Sequence, residues 1–194
     1  MATRIFLIRH GETSWSLAGR HTSRTDLPLT ENGEQRALRL RERLRDVSFT
    51  HVLTSPLRRA RQTCELAGFG AMARVEPELR EWDYGDYEGR TTAEIRTQRP
   101  KWDLFQDGSL HGESVEQISQ RADRVVAVIR PLDGIVAVFS HGHFLRALAV
   151  RWLGLPVPDG RHLALDTGAL SILGYERPDQ ETPVIALWNS TSAV

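Results

Sequence analysis

Two segments of the sequence place histidines where they could do chemistry. The segment RHG at 9–11 and the segment SHGH at 140–143 each follow a short apolar run. Histidine changes its charge near neutral pH more easily than other side chains, so His10, His141 and His143 are candidates for catalysis or metal binding. His141 lies in the turn after its apolar run, whereas His143 enters the following helical stretch. His141 is therefore the stronger candidate of that pair.

Arginines accompany these histidines. Arg9 directly precedes His10, and the apolar run at 51–54 is followed by Arg58, Arg59 and Arg61. Guanidinium groups repel a divalent cation, whereas they bind carboxylate or phosphate through paired hydrogen bonds. We therefore expect a bound phosphate and neither a metal ion nor another cofactor. Helical spacing alone does not choose among the three clustered arginines.

Histidine is also the candidate nucleophile that remains after the other common nucleophiles are excluded. The single cysteine, Cys64, lies inside a helical stretch with no phosphate-binding loop after it. The sequence contains neither GxxxxGK[ST], the nucleotide-binding loop, nor GxSxG, the turn that carries a serine nucleophile. Histidine can form a covalent intermediate, so a histidine nucleophile is the remaining option.

Three strand-turn-helix units are predicted to bring these residues together. Apolar runs at 5–8, 51–54 and 135–139 are each followed by a polar turn and a helical period. Such alternation is typical of a mostly parallel sheet covered by helices on both faces, which is a three-layer α/β/α fold. Ligands bind beyond the carboxyl ends of the strands in these sheets. We expect the three polar turns to meet in one pocket.

Further helices and strands complete the predicted fold. Helices are expected around Ala37–Val47 and Val115–Ile129 and after Ser55 and Pro56, which suit the first positions of a helix. The pairs Thr91 with Glu94 and Ser114 with Gln117 fit capping boxes. Strands are expected at 169–175 and 183–188, around a turn that contains proline.

Composition limits the classes of function. The chain has 194 residues, no repeats and no linker-like run, so we predict one domain over 1–194 with a small cover segment around 82–112. A net charge of +0 argues against nucleic-acid or membrane partners. One unpaired cysteine and a short apolar N-terminal run indicate a cytoplasmic protein. The C-terminal strand and Trp188 leave a homodimer open.

Four motifs resemble those of the histidine phosphatase superfamily, the phosphoglycerate-mutase-like proteins. They are LIRHGET at 7–13, TSPLRRARQT at 54–63, LREWDYGDYEG at 79–89 and FSHGHFLRAL at 139–148, and they occur in the order that the family shows. The resemblance extends from about the third residue to the last predicted strand. It implies the phosphoglycerate-mutase-like version of the α/β fold.

The resemblance also implies roles for individual residues. His10 matches the histidine that becomes phosphorylated, and Glu81 matches the proton donor. Among the clustered arginines the resemblance selects Arg59, which stands before alanine in the second motif. The phosphate would be bound by Arg9, Arg59, His141 and Gly142.

One stretch resembles a particular branch of the family. WSLAGRHTSRTDLPLT at 15–30 is similar to the corresponding segment of sedoheptulose-1,7-bisphosphatase-like enzymes and broad-specificity phosphatases, with Ser23 in place of the common glycine. Ser16 and Thr22 align with substrate-contacting positions of the mutases. We predict that Ser16, Thr22 and Ser23 contribute to substrate binding.

The resemblance implies a phosphoric monoester hydrolase of the histidine acid phosphatase type. It would hydrolyse small sugar or carboxylic-acid phosphates through a phosphohistidine, without a metal ion. Three alternatives are a 2,3-bisphosphoglycerate-dependent phosphoglycerate mutase, a phosphoprotein (phosphohistidine) phosphatase and a non-catalytic phospholigand binder. The short segment between Glu81 and His141 favours hydrolysis, because mutases of the family tend to carry longer, shielding insertions there. The expected partner is a small phosphorylated metabolite.

Overall fold

A mixed sheet of six strands forms the centre of the computed structural model, which describes residues 4–177 and 182–191. The strands run β3-β2-β4-β1-β5-β6 across the sheet. The first four of these are parallel, whereas β5 and β6 are antiparallel to their neighbours. The strands are β1 (Arg4–Arg9), β2 (His51–Thr54), β3 (Ala73–Val75), β4 (Ile135–Ser140), β5 (Leu170–Tyr175) and β6 (Pro183–Ser190).

Helices cover both faces of this sheet. Side chains of β1 alternate between the two sides, with Ile5 and Leu7 in one hydrophobic cluster and Phe6 and Ile8 in the other. The first cluster includes residues of α6 and α7, and the second includes residues of α2 and α3. The helices are α1 (Ser14–Leu17), α2 (Glu31–Leu44), α3 (Arg58–Leu66), α4 (Thr92–Arg96), α5 (Leu104–Asp107), α6 (Val115–Ile129) and α7 (Gly142–Trp152). The predicted three-layer α/β/α fold is confirmed.

Hydrogen-bonding side chains begin several helices where the sequence predicts them. Both predicted capping boxes form, at Thr91 for α4 and at Ser114 for α6. The start of α3 differs from the prediction, because Leu57 occupies the N-cap position and Arg58 is the first helical residue. The Ser55 hydroxyl instead accepts a hydrogen bond from the Leu57 amide at 3.3 Å, which tightens the turn before the helix.

The register of the strands brings the three polar turns together, as predicted. Arg9 at the end of β1 pairs with Ser140 at the end of β4, and Thr54 at the end of β2 pairs with Phe139. The carboxyl ends of β1, β2 and β4 therefore meet at one edge of the sheet. The short strand β3 has no counterpart among the predictions. The predicted turn between β5 and β6 lies largely at 178–181, outside the described residues.

The segment around 82–112 consists of short elements. It includes α4 and α5 and a 3₁₀ turn at Gly85–Tyr87, and its side chains Ile95, Leu104 and Phe105 join the hydrophobic cluster of α6 and α7. Within 4–177 and 182–191, no helix combines the length and the apolar character that crossing a membrane requires.

Candidate active site

His10 occupies the first position after β1, and its ring orientation is fixed by the next residue. Its Nδ1 lies 2.7 Å from the carbonyl oxygen of Gly11. A carbonyl oxygen only accepts, so Nδ1 carries the hydrogen and the lone pair of the neutral ring lies on Nε2. Gly11 is required here because a Cβ would lie 2.5 Å from the carbonyl oxygen of Gly33 in α2.

The surroundings of His10 keep its imidazole neutral. Burial lowers its pKa well below 6.5, and the positive charges of Arg59 and Arg9 lower the pKa further. His10 is only 5% exposed. His10 therefore offers an unprotonated Nε2 at neutral pH, which is the form that a nucleophile needs.

Arg9 and Arg59 are held rigidly by backbone carbonyl oxygens. Arg9 donates from Nη1 to the carbonyl oxygen of Leu165, and its guanidinium lies against Gly142, where a Cβ would be 3.1 Å from Cζ. Arg59 donates from Nη2 to the carbonyl oxygen of Thr22 at 3.0 Å. Within the described part of the chain, the Nε atoms of both arginines are buried and have no hydrogen-bond partner. Both side chains thus keep donors available for an anion.

The three clustered arginines have different environments. Arg59 is completely buried and lowers the pKa of both His10 and His141 by its charge. Arg58 and Arg61 are exposed, and Arg61 lies 4.0 Å from Glu65 one turn along the same helix. Burial thus separates Arg59 from its two neighbours, a distinction that helical spacing did not provide.

His141 faces His10 across the site. The ring centroids of the two histidines are 5.1 Å apart. The Nε2 atom of His141 lies 2.7 Å from the Ser55 hydroxyl, so β2 contributes to its orientation. Its Nδ1 is buried and has no partner among the described residues. Burial lowers the pKa of His141 well below 6.5, with Arg59 as the next cause.

Glu81 is anchored at the beginning of α7. Its carboxylate accepts hydrogen bonds from the backbone amides of Phe144 at 2.8 Å, Trp82 at 2.9 Å and His143 at 3.2 Å. The N-terminus of a helix stabilises a negative charge, and two of these amides belong to the first turn of α7. The third motif is thereby joined to the fourth, although the two are far apart in sequence.

Arg121 supports the segment that carries Glu81, and the sequence analysis missed it. This arginine is 1% exposed and donates to the carbonyl oxygens of Glu78, Arg80 and Glu81. Its charge is paired with Glu113 at 2.7 Å. A signal was present, because Arg121 lies on the apolar face of the predicted helix beside Ile118 and Ala122, where a charge needs a partner.

A cavity of about 230 Å³ lies beside these groups, and we call it the main cavity. It is lined by the sequence-predicted residues Arg9, His10, Ser16, Thr22 and Glu81. Its wall also includes His143, and it includes His21 and Tyr84, for which the sequence analysis predicted no role. The Tyr84 hydroxyl lies 2.6 Å from Nδ1 of His143. His143, whose role was open, therefore belongs to the cavity wall.

The side chain of Ser23, a predicted substrate residue, is engaged by another part of the fold. Its hydroxyl donates to the Glu88 carboxylate at 2.7 Å, and its backbone amide donates to the same carboxylate at 2.9 Å. Glu88 also accepts from the Thr25 amide at 3.0 Å. Ser23 is buried and does not line the main cavity. Its interactions hold the 20–25 loop, and its contact with substrate stays a prediction.

The side chains of this site are not arranged as the ligands of a metal ion. Across the ranges 4–177 and 182–191, no group of three or more His, Cys, Asp or Glu side chains is arranged to hold a metal ion. The two histidines of the site instead lie beside the guanidinium groups of Arg9 and Arg59. Such a site favours an anion with several oxygen atoms.

Fold and site together define a class of enzyme, and comparison with known proteins agrees. The family model described as the histidine phosphatase superfamily (branch 1) matches residues 5–191. The chain belongs to this superfamily. The resemblance noted in the four motifs is confirmed, and with it the expectation of a phosphomonoester hydrolase that acts on small molecules.

Particular relatives are similar over most of the chain. An acid phosphatase of Mycobacterium tuberculosis is 40% identical over 188 residues, which cover 95% of this chain and 92% of the relative. A sedoheptulose 1,7-bisphosphatase of Saccharomyces cerevisiae is 38% identical, and the match covers 81% of this chain and 70% of the relative. A solved structure of an open-reading-frame product from Mycobacterium tuberculosis has a TM-score of 0.90 and 39% identity, and the match covers 96% of this chain and 97% of that one.

Proposed function

We propose that this small-molecule phosphatase hydrolyses phosphomonoesters through a phosphohistidine on His10, without a metal ion. The observation that carries the proposal is the unprotonated Nε2 of His10 beside the guanidinium groups of Arg59, which is buried, and Arg9, which is half-buried. Sugar phosphates and carboxylic-acid phosphates are the proposed substrate class. Both carry anionic oxygens that match this charge distribution.

In the first step, Nε2 of His10 attacks phosphorus. The nitrogen–phosphorus bond forms as the bond from phosphorus to the ester oxygen breaks. Negative charge on the transferring group is stabilised by Arg9 and Arg59, whose buried Nε atoms have no hydrogen-bond partner among the described residues. The Leu57 amide donates to the Ser55 hydroxyl, and we infer that this hydroxyl in turn donates to Nε2 of His141. His141 then carries its hydrogen on Nδ1 and donates it to the phosphoryl oxygens.

Glu81 is proposed to carry the proton in both steps. Its protonated form gives a proton to the departing ester oxygen, and the resulting carboxylate takes a proton from the water that attacks phosphohistidine. Hydroxide adds to phosphorus, the bond to Nε2 breaks, and His10 and Glu81 return to their starting forms. Support comes from the position of Glu81 in the wall of the main cavity, together with Arg9 and His10.

Two further elements belong to this proposal. Tyr84 and Thr92 line the main cavity, which supports a role for the segment around 82–112 as a cover over the site within a single domain. A cytoplasmic location without nucleic-acid or membrane partners is also proposed, on the grounds of charge balance and the single cysteine. A homodimer stays a prediction, which analytical ultracentrifugation would test.

Replacement of the proposed nucleophile tests the function. We expect His10→Ala to lower turnover of p-nitrophenyl phosphate by about a thousandfold or more, since the bond-forming atom is absent. His51→Ala at the start of β2 is the matched control, because it removes a histidine that does not line the main cavity. Turnover of His10→Ala at the parent rate would contradict the mechanism.

A mutase reaction is the alternative that needs its own assay. A mutase would return the phosphoryl group from His10 to a bound intermediate instead of to water. Interconversion of 2- and 3-phosphoglycerate that depends on added 2,3-bisphosphoglycerate, at a rate above that of phosphate release, would favour this alternative. We expect phosphate release to be the faster reaction.

A further inference from the structure

A second cavity of about 150 Å³ adjoins the main cavity, and we call it the side cavity. The two cavities share three wall residues, His21, Thr92 and His143. His21 and His143 contact each other, with ring centroids 5.7 Å apart, and Thr92 Oγ1 lies 3.3 Å from His21 Nε2. The side cavity is therefore the compartment next to the cavity that His10 lines.

Three arginines from separate elements line the side cavity. Arg96 ends α4, Arg146 lies in α7, and Arg161 belongs to the 3₁₀ helix Val157–His162. Each guanidinium is anchored through its Nε atom. The partners are the carbonyl oxygen of Trp102 at 2.9 Å for Arg96, the carbonyl oxygen of Gly160 at 3.0 Å for Arg146, and Nε2 of His162 at 3.1 Å for Arg161.

In the part of the chain that the structure describes, the outer nitrogens of these guanidinium groups have no protein acceptor. Within residues 4–177 and 182–191, no hydrogen bond from an Nη atom and no salt bridge is formed by Arg96, Arg146 or Arg161. Asp103 also lines the side cavity, but its carboxylate caps α5 by accepting from the Phe105 amide at 2.9 Å. The wall thus has a clear excess of positive charge, and the outer N–H groups of each guanidinium are available to bind an anion.

Unpaired arginines are ordinary on a surface, and Arg96 and Arg161 are exposed. Arg146 is different because it is half-buried, with its Cζ 4.4 Å from the centroid of the Phe105 ring. A cation removed from water is stable only where it is paired or bound to an anion. The side cavity therefore has the features of an anion-binding compartment.

We infer that the side cavity binds a second phosphate group of the substrate, so that the enzyme prefers small molecules that carry two phosphates. The inference rests on the proposed function, because the reacting phosphate must lie beside His10. The three guanidinium groups outnumber the one carboxylate by two positive charges, which matches the double charge of a phosphate better than the single charge of a carboxylate.

The test compares a sugar bisphosphate with the sugar monophosphate that carries only the reacting group. We expect kcat/KM of the parent protein to be about 10- to 100-fold higher for the bisphosphate, the size that charge-assisted hydrogen bonds contribute. Arg161→Gln and Arg96→Gln should each reduce this ratio about tenfold, mainly through KM. Arg45→Gln removes an exposed positive charge at the end of α2, far in sequence from both cavities, and should keep the parent ratio.

Three results would overturn the inference. They are a parent ratio near one, a ratio that survives in Arg96→Gln and Arg161→Gln, and a higher kcat/KM for a phosphoglycerate, whose second anion is a carboxylate, than for the bisphosphate. If the protein hydrolyses none of these compounds, the proposed function fails. Calorimetric binding to the His10→Ala protein then tests the subsite alone, with tighter binding of the bisphosphate expected and equal binding contradicting it.

Discussion

The main cavity and the side cavity share a wall but are built in different ways. The proposed catalytic groups in or beside the main cavity follow the ends of β1 and β4 or contact the start of α7, and His10 and Glu81 are 5% and 6% exposed. In the side cavity, two of the three arginines are exposed and lie on short helical elements. Transfer of a phosphoryl group requires atoms fixed to fractions of an ångström, whereas recognition of a second charge tolerates more movement.

The difference separates two kinds of effect. A change in the main cavity should slow hydrolysis of every phosphomonoester, because the reacting group is common to all of them. A change in the side cavity should alter only the preference among substrates. Variants that mix these two effects would show that the cavities do not act independently.

The largest effect after loss of His10 is expected for Glu81→Gln, which keeps the shape of the side chain but cannot transfer a proton. We predict a fall of about 100- to 10,000-fold in kcat for sugar phosphates. The fall should be smaller for p-nitrophenyl phosphate, because its leaving group needs less help from an acid. Glu78→Gln, which removes a carboxylate paired with exposed Arg124, is the control. Equal losses for both substrates would argue against Glu81 as the acid.

Arg59→Met should lower kcat/KM by about 100- to 1,000-fold, because it removes charge stabilisation at the phosphoryl group while filling similar space. Arg58→Met is the matched control on the adjacent, exposed position. The loss should be the same for monophosphates and bisphosphates. A loss confined to bisphosphates would mean that Arg59 acts in substrate recognition and not in the reaction.

The pH dependence of kcat/KM should lack an inflection at 6.5. The pKa of His10 is lowered well below 6.5 by burial, Arg59 and Arg9, so His10 stays neutral as the pH falls from 7 into the mildly acidic range. A pH profile with p-nitrophenyl phosphate measures this directly. Loss of activity with an apparent pKa at or above 6.5 would mean that the nucleophile is not the buried His10.

His21, in the wall between the cavities, should make folding stability fall with acidity. Burial lowers its pKa from 6.5 to about 4, so below pH 6.5 the unfolded chain binds the proton more readily than the folded one. The free energy of unfolding should therefore fall, with His21 contributing about 3 kcal/mol between pH 6.5 and 4. Urea unfolding of the parent and of His21→Gln tests this, and identical pH slopes would refute it.

Ser23→Ala should have the smallest effect on catalysis. Its hydroxyl is bonded to Glu88, so we expect a loss of about 1 kcal/mol in stability and an unchanged KM. Ser16→Ala, on the wall of the main cavity, should raise KM. It should also lose about 1 kcal/mol of stability, because the Ser16 hydroxyl accepts from the Thr13 amide at 2.8 Å and donates to the Thr13 carbonyl oxygen at 3.0 Å. A raised KM for Ser23→Ala with an unchanged KM for Ser16→Ala in steady-state kinetics would assign substrate contact to Ser23 instead.

Sequence reasoning succeeded where position along a strand determines position in space. His10, Ser55 and His141 lie in the turns that follow apolar runs, and parallel pairing then brings those turns to one edge. It failed where long side chains reach across the fold. Arg121 contacts the Glu81 segment from α6, and the arginines of the side cavity come from three elements that no local pattern connects. The sites of Tyr84 and His21 likewise depend on how loops pack.

Trapping of the phosphorylated enzyme tests the central claim most directly. The parent protein is mixed with a ³²P-labelled phosphomonoester, quenched within milliseconds and mapped by mass spectrometry. We predict an acid-labile, base-stable phosphoryl group on His10, which forms and decays at rates compatible with turnover and is absent from the His10→Ala protein. A protein that turns over its substrate while His10 stays unmodified, or that carries the label on another residue, would contradict the mechanism.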